Sequence, residues 1–219
     1  MTTLATMKDR IARELRRSNI ETQIGEAITT AIDAYQTERF AFAEEIFDFD
    51  TVANQEFYDE SDSASIPLIV ELDYVKILIS DAVYTLRYET PERMEFLSQN
   101  ETQTGQPLVY SRYASKLRLY PVPADVYTIR IGAHLRYTAP AADATTGNFW
   151  MTTAERLIRC RAKYELYAHV TRDANLTQYF DPWRETAPAS PTFDAYQQLK
   201  SLTNKLGKSE GWHMAPTNF

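Results

Sequence analysis

The stretch from Tyr127 to Tyr137 constrains the fold most, because apolar and polar residues alternate along it. Six residues at every second position are apolar or aromatic, namely Tyr127, Ile129, Ile131, Ala133, Leu135 and Tyr137. Alternation with a period of two predicts a strand with one buried and one solvated face, as in an antiparallel sheet. The preceding KLRLYPV predicts a second strand, and a proline turn separates the two.

Both ends of the chain predict amphipathic helices. Apolar residues recur at spacings of three and four, first as Leu4, Met7, Ile11 and Leu15, then as Ile24, Ile28, Ala31, Ile32 and Tyr35 after a Ser18-Asn19 cap. A capping box at Thr152–Glu155 predicts a helix to about Asp173. Ser190-Pro191 begins a last helix that Gly207 closes.

The region between the helical ends predicts several strands and one short helix. IFDFDT, QEFYDE, SIPLIVELDYVKILI and PLVYSRY carry strand patterns, whereas residues 81–88 fit a strand or a helix. Thr90-Pro91-Glu92 predicts the start of a helix. We therefore expect an α+β fold, mainly helical, in which N- and C-terminal helices form a bundle with an inserted antiparallel β-rich region at about 45–137.

The expected domain bounds follow from these patterns. Residues 1–44 and 150–207 form the helical bundle, residues 45–149 the inserted β-rich subdomain, and residues 208–219 an extended C-terminal tail. No internal repeat is evident.

Charge and cysteine content restrict the classes of partner and compartment. The net charge is −7, from 23 Lys and Arg against 30 Asp and Glu, which disfavours tight binding to a phosphate backbone. A single cysteine, Cys160, excludes an internal disulfide. Without an apolar signal core or a membrane-length apolar run, we expect no membrane association and assembly in the cytoplasm.

No motif predicts a catalytic, cofactor or metal site. Phosphate-binding glycine loops, HExxH and paired CxxC motifs are absent. His134, His169 and His213 lie in separate predicted elements, and Cys160 lies in an apolar helix stripe. Acidic clusters match no calcium loop, and two carboxylates could meet as a glycosidase pair only through the fold. We expect no enzyme activity and no cofactor.

Two features predict contact surfaces instead. If the strands of KLRLYPV and the alternating stretch pair, one polar sheet face carries Arg118, Arg130, His134 and Arg136. That face is either solvated or matched to an acidic neighbour, such as another copy of the chain. The C-terminal tail carries Trp212, His213, Met214 and Phe219, which either pack on the parent domain or anchor a partner.

The order of these features resembles the head-to-tail adaptor (connector) proteins of tailed bacteriophages, especially podovirus-type portal adaptors. The resemblance rests on the helical pair LATMKDRIARELRR and IGEAITTAIDAYQTERFAF, then IFDFDTVANQEFYD. It continues through the G-Q-P-L-V-Y…LRLYPVPADVYTIRI pattern and ends in NFWMTTAERLIRCRAKYELYAHVTRDA. It covers most of residues 1–207.

The resemblance implies a structural virion protein of the neck and tail. Such a subunit joins a homo-oligomeric ring of about twelve copies, docks beneath the portal protein and carries tail or nozzle proteins. DNA would pass through the ring's channel without specific binding. Two alternatives remain: a tail-completion or neck protein that binds a different ring, and a virion-associated peptidoglycan hydrolase.

Overall fold

The protein divides into two compact units. A computed structural model describes residues 3–17, 19–80, 82–99, 103–186 and 188–210. One unit, here the helical unit, contains the described residues up to Phe42 and from Tyr137 onwards. The other, here the β unit, is Ala43–Arg136.

The predicted fold class, a mainly helical chain dominated by a terminal bundle around an insert, is wrong. Helices account for 38% and strands for 24% of the described residues, and the strands form several sheets. The sequence patterns predicted a strand around Phe57–Tyr58, left residues 81–88 open between strand and helix, and missed the strand at Thr104–Gly105, because two residues give no measurable periodicity. Two of the strand pairs are also parallel rather than antiparallel.

The helical unit is built on α1 (Leu4–Leu15), α2 (Glu21–Asp33), α4 (Glu155–Glu165), α5 (Ala174–Phe180) and α6 (Pro191–Glu210). The apolar stripes predicted for the first two helices form its core. Met7, Ile11, Ile28 and Ile32 are fully buried together with Trp150. Burying each such side chain contributes about 1.5–3 kcal/mol, which makes these stripes the main support of the unit.

The helices after Trp150 differ from their predicted form. Thr152 does not cap α4, because its hydroxyl donates to the Asn148 carbonyl at 3.1 Å, and α4 begins at Glu155 without a side-chain cap. The helix continues as a π-helix over Leu166–Thr171 and ends at Arg172 in the left-handed region. Asp173 then caps α5, a helix that the sequence did not predict.

The described residues of the β unit form two four-stranded sheets, a two-stranded sheet and the short helix α3 (Pro91–Ser98). The first sheet has the order β1 (Glu44–Asp50), β10 (Thr128–Leu135), β3 (Ile69–Ile79), β4 (Ala82–Thr85). The second has the order β2 (Phe57–Tyr58), β8 (Lys116–Tyr120), β7 (Val109–Tyr113), β5 (Arg87–Tyr88). The small sheet pairs β6 (Thr104–Gly105) with β9 (Val122–Pro123).

The two four-stranded sheets bury their facing sides against each other. Phe49 of the first sheet packs on Tyr58 of the second, with ring centroids 5.3 Å apart. Ile129 and Ile131 are fully buried on the same side of β10, as the alternation predicts. The opposite side of the first sheet is here called the outer face.

Helix α3 begins where the sequence predicts it. Thr90 adopts an extended conformation and accepts a hydrogen bond from the Arg93 amide, and Pro91 occupies the first helical position. A proline costs nothing there, because the first-turn amides have no partner within the helix. Met94 anchors the helix and is fully buried.

Candidate interaction surfaces

The outer face of the first sheet displays a charged row that crosses all four strands. Register places Asp48 beside Arg130, Arg130 beside Lys76, and Lys76 beside Thr85. The next row runs from Asp50 through Thr128 and Leu78 to Val83. The first row therefore carries an acid on β1 and two adjacent cations on β10 and β3, and the second row ends in the exposed Val83 on β4.

Arg130 and Asp48 form an ion pair at the β1 end of that row. The guanidinium donates to both carboxylate oxygens at 2.8 Å each, and both side chains are 39% exposed. Hydrogen bonding and charge from Arg130 hold the pKa of Asp48 below its usual range despite partial desolvation. A planar two-point pair of this kind fixes the guanidinium plane on the sheet surface.

Tyr74 lies flat over the glycine at the middle of β10. A Cβ atom on Gly132 would stand 2.4 Å from the ring carbon Cε1 of Tyr74. The Lys76 ammonium lies 4.7 Å from the same ring centroid. Aromatic packing across a strand glycine covers backbone that would otherwise face solvent.

Arg118 does not share a sheet face with Arg130, so the conditional pairing of their strands is wrong. Strand β8 pairs with β7 and β2 in the second sheet, whereas β10 belongs to the first. The Arg118 side chain is only 10% exposed and donates to Glu56 and Glu95 at 2.5 Å each. It therefore joins β8 to α3 rather than facing a partner.

The other two predicted residues of the polar face lie in different environments. His134 is 1% exposed, although its pairing with Glu44 places it on the same side of β10 as Arg130. The pairing of β10 with β3 shifts register on both sides of Ala133 and His134. Arg136 follows the end of β10 and is exposed. Only Arg130 and Arg136 among the four predicted residues thus reach the surface, and no shared contact face unites the four.

The helical unit carries an aromatic surface that the sequence reasoning missed. Trp183 is 69% exposed and packs edge-on against Tyr164, with 6.1 Å between centroids. The Arg161 guanidinium lies 5.1 Å from both rings. A tryptophan inside the polar, proline-containing loop DPWRETAPAS was the available signal, because such a residue is costly to expose without a role.

A cleft of about 350 Å³ adjoins this surface. Tyr35 and Tyr196 stack along it at 5.8 Å, and Arg161 contributes its polar wall. Burial raises the pKa of the Tyr35 hydroxyl to about 12, against the opposing effect of Arg161. This hydroxyl stays protonated at neutral pH, so the cleft offers hydrogen bonds and aromatic contact.

The described residues offer little to metal or covalent chemistry. They contain no group of three or more His, Cys, Asp or Glu placed to hold a metal ion. Cys160 is buried, and burial raises the pKa of its thiol, which keeps it protonated. No helix in the described ranges has the length and apolar character needed to cross a bilayer.

Most of the predicted C-terminal tail, residues 208–219, lies outside the described residues. Helix α6 continues to Glu210, so Gly207 does not end it and residues 208–210 are helical. Trp212, His213, Met214 and Phe219 lie outside the described residues. Their role as a contact segment stays a prediction.

Comparison with known proteins identifies the family. No curated protein was found to match the chain. The family model described as SU10 adaptor protein matches residues 2–216, nearly the whole sequence. The chain therefore belongs to the SU10 adaptor proteins, a phage adaptor family with a structural role between head and tail.

Proposed function

We propose that the protein is one subunit of a ring of about twelve copies that docks beneath the portal, carries tail or nozzle proteins and leaves a channel for DNA. The family match over residues 2–216 is the observation that carries this proposal. A virion component of this kind works through surfaces rather than through a catalytic centre.

The exposed side chains support a role in protein contacts. Large apolar residues that a monomer would bury stand in solvent, among them Tyr113 at 73%, Trp183 at 69% and Phe96 at 59% exposure. Exposed aromatic residues are typical anchors of protein interfaces, because they bury a large area at low entropic cost. Trp183 is the anchor we assign to the helical unit.

The outer face of the first sheet is the platform we assign to the β unit. Arg130 stands on it in a fixed orientation through its pair with Asp48, while Ile46 is 63% exposed. A preordered charge beside exposed apolar area suits a neighbour of complementary charge, because little side-chain freedom is lost on binding.

The C-terminal tail is the segment we assign to the portal. Helix α6 includes its first three residues, and the remaining sequence, GWHMAPTNF, combines two aromatic residues with a methionine. Such a segment binds as an extended anchor when a receiving groove exists on the partner.

The acidic balance of the chain suits a DNA channel. A net charge of −7 per subunit repels phosphates, so a ring of such subunits lets DNA pass without holding it. The ring would assemble in the host cytoplasm and then become part of the virion neck and tail.

Mixing the purified protein with the portal protein encoded by the same phage tests the proposal. Mass photometry is expected to show a ring complex with one adaptor subunit for each portal subunit. Failure to bind across a series of salt concentrations would contradict it. A tail-completion protein would instead bind a tail ring and leave the portal unoccupied.

A further inference from the structure

Both outer strands of the first sheet present open edges. Sheet order places β1 at one margin and β4 at the other, and no other strand of the described chain pairs with their outer edges. An open edge offers a row of backbone donors and acceptors that another strand can bind. The sheet therefore has two docking edges, one at each end of the strand order.

The directions of the two edge strands allow an antiparallel joint between neighbouring copies. Each of the three strand pairs in the sheet is antiparallel. With four strands, β1 and β4 run in opposite directions. When copies are related by rotation about one axis, β4 of one copy can stand beside β1 of the next as one more antiparallel pair. An odd number of strands would have required a parallel pair at that joint.

Charge favours this pairing over β1–β1 pairing. Strand β1 carries four acids in seven residues, Glu44, Glu45, Asp48 and Asp50, so pairing with the same strand of another copy places like charges together. Strand β4 has none, and Lys76 lies one strand behind Thr85 in the same row. A β1 strand laid beside β4 continues the row of Lys76 with Asp48 of the next copy.

The outer strands also expose apolar side chains that such a joint would cover. Val83 is 52% exposed and Ile46 is 63% exposed, and both lie on the outer face of the sheet. A joint of about four residues is too short to hold two free subunits together. In a ring, further contacts raise the effective concentration of the two edges, so the short joint forms there.

We infer that β4 of one copy pairs with β1 of the next, so that the first sheets of neighbouring subunits join across the ring interface. This inference rests on the proposed ring. The joint fixes which strands meet, their relative direction and the face that each side chain occupies. It also makes the interface heterologous, which is what a closed ring of identical subunits requires.

Paired cysteines test the joint in assembled phage particles. One variant carries Val83→Cys with Asp50→Cys, and a second carries Val83→Cys with Asp48→Cys, so that both positions lie on the outer face. The matched control carries Tyr84→Cys with Asp50→Cys, because Tyr84 is also about half exposed but points to the opposite face. Cys160 is buried and stays in place.

Mild oxidation of the particles and electrophoresis without reductant give the readout. An outer-face pair is expected to produce a ladder of dimers, trimers and longer chains, since each copy bears one cysteine at each edge. The control is expected to produce no ladder, because side chains on opposite faces of a sheet do not meet.

The remaining outcomes separate the inference from the proposed function. Particles that contain the protein but give no ladder, or give equal ladders with the control, overturn the strand joint and leave the ring intact. A further variant carries only Val83→Cys. Dimers formed by this variant would indicate β4–β4 pairing and would also overturn the strand joint. Absence of the protein from purified wild-type particles overturns the ring and the joint together.

Discussion

Arg118 is the side chain that ties the parts of the β unit together. Its guanidinium binds Glu56 before β2 and Glu95 in α3, donates to Ser98 at 3.1 Å, and lies 5.3 Å from the Phe57 ring. The residue itself is 8% exposed. Removing the guanidinium or its carboxylate partners would leave an uncompensated charge inside the protein, which is costly.

Replacing Arg118 tests that role. Arg118→Met is expected to lower the free energy of unfolding by about 2 kcal/mol, since it leaves Glu56 without its partner. The matched control is Lys116→Met on the same strand, whose ammonium pairs with Asp59 while its side chain is 47% exposed, and whose loss is expected to cost clearly less than the loss of Arg118. Urea unfolding measures both, and equal losses would contradict the assigned role.

Gly132 and Gly25 give opposite expectations for the same substitution. Gly132→Ala forces the Tyr74 ring away from β10 and is expected to destabilise the fold by about 1 kcal/mol. Gly25→Ala lies inside α2, where the nearest atom is a flexible Lys8 carbon at 3.4 Å, and is expected to stabilise by about 0.5–1 kcal/mol. Thermal unfolding checks the signs, and a stabilising Gly132→Ala would show that the ring contact is unimportant.

Alternation along β10 predicts its buried face at single-residue detail but not the fate of its polar face. Ile129 and Ile131 are buried as expected, because burial on one side follows from the period alone. Arg118 and His134 are buried despite the pattern: the first meets carboxylates distant in sequence, and the second is covered on the side of β10 that the pattern predicts to be polar. Local periodicity contains neither kind of information.

Among the elements, α1 and α4 are joined by a charged cluster as well as by their apolar stripes. Glu14 of α1 binds both Arg159 and Lys163 of α4. Partial burial opposes ionisation of Glu14, but hydrogen bonding and charge from Lys163 and Arg159 leave its pKa below the usual range. The carboxylate is therefore the form that holds the two helices together.

The pH dependence of stability tests this cluster. A depressed pKa in the folded state contributes stability above the unfolded pKa of about 4.3, and that contribution is lost as pH falls through the folded value. Glu14→Gln is thus expected to cost about 1 kcal/mol at pH 7 and progressively less below about pH 4.

Glu26→Gln provides the control, since Glu26 is an exposed acid of α2. It is expected to change stability little at any pH. A Glu14→Gln cost that stays constant from pH 7 to pH 3 would contradict a role for the ionised carboxylate. Urea midpoints measured across that range provide the comparison.

Sequence patterns predicted the long elements, the start of α3 and the strand around Phe57–Tyr58, and failed at several helix ends, at α5 and at β6. The stripes of α1 and α2 and the cap of α3 are strong local signals, and the structure contains them. The π-helix after Glu165, α5 and β6 depend on contacts between distant segments. No local propensity specifies such elements.

A truncation tests the role of the C-terminal tail without removing any described element of the fold. Ending the chain after Glu210 keeps all of α6 and removes only residues 211–219. The shortened protein is expected to unfold at the same urea concentration and to bind the portal more weakly. Unchanged affinity in mass photometry would remove the tail from the interface.

Trp183→Ala tests whether Trp183 contributes to binding of the portal. The side chain is 69% exposed, so its removal is expected to change stability by less than about 1 kcal/mol. An interface anchor of this type loses about 2 kcal/mol of binding energy when truncated, which is roughly thirtyfold in affinity. Equal portal affinity for the variant and the wild type would show that Trp183 lies outside the contact.

A cryo-electron microscopy reconstruction of the virion neck would show whether a ring of this protein lies beneath the portal. We expect a closed ring of about twelve copies between portal and tail, with the first sheets of neighbouring subunits side by side. A neck in which the density below the portal belongs to another protein would contradict it.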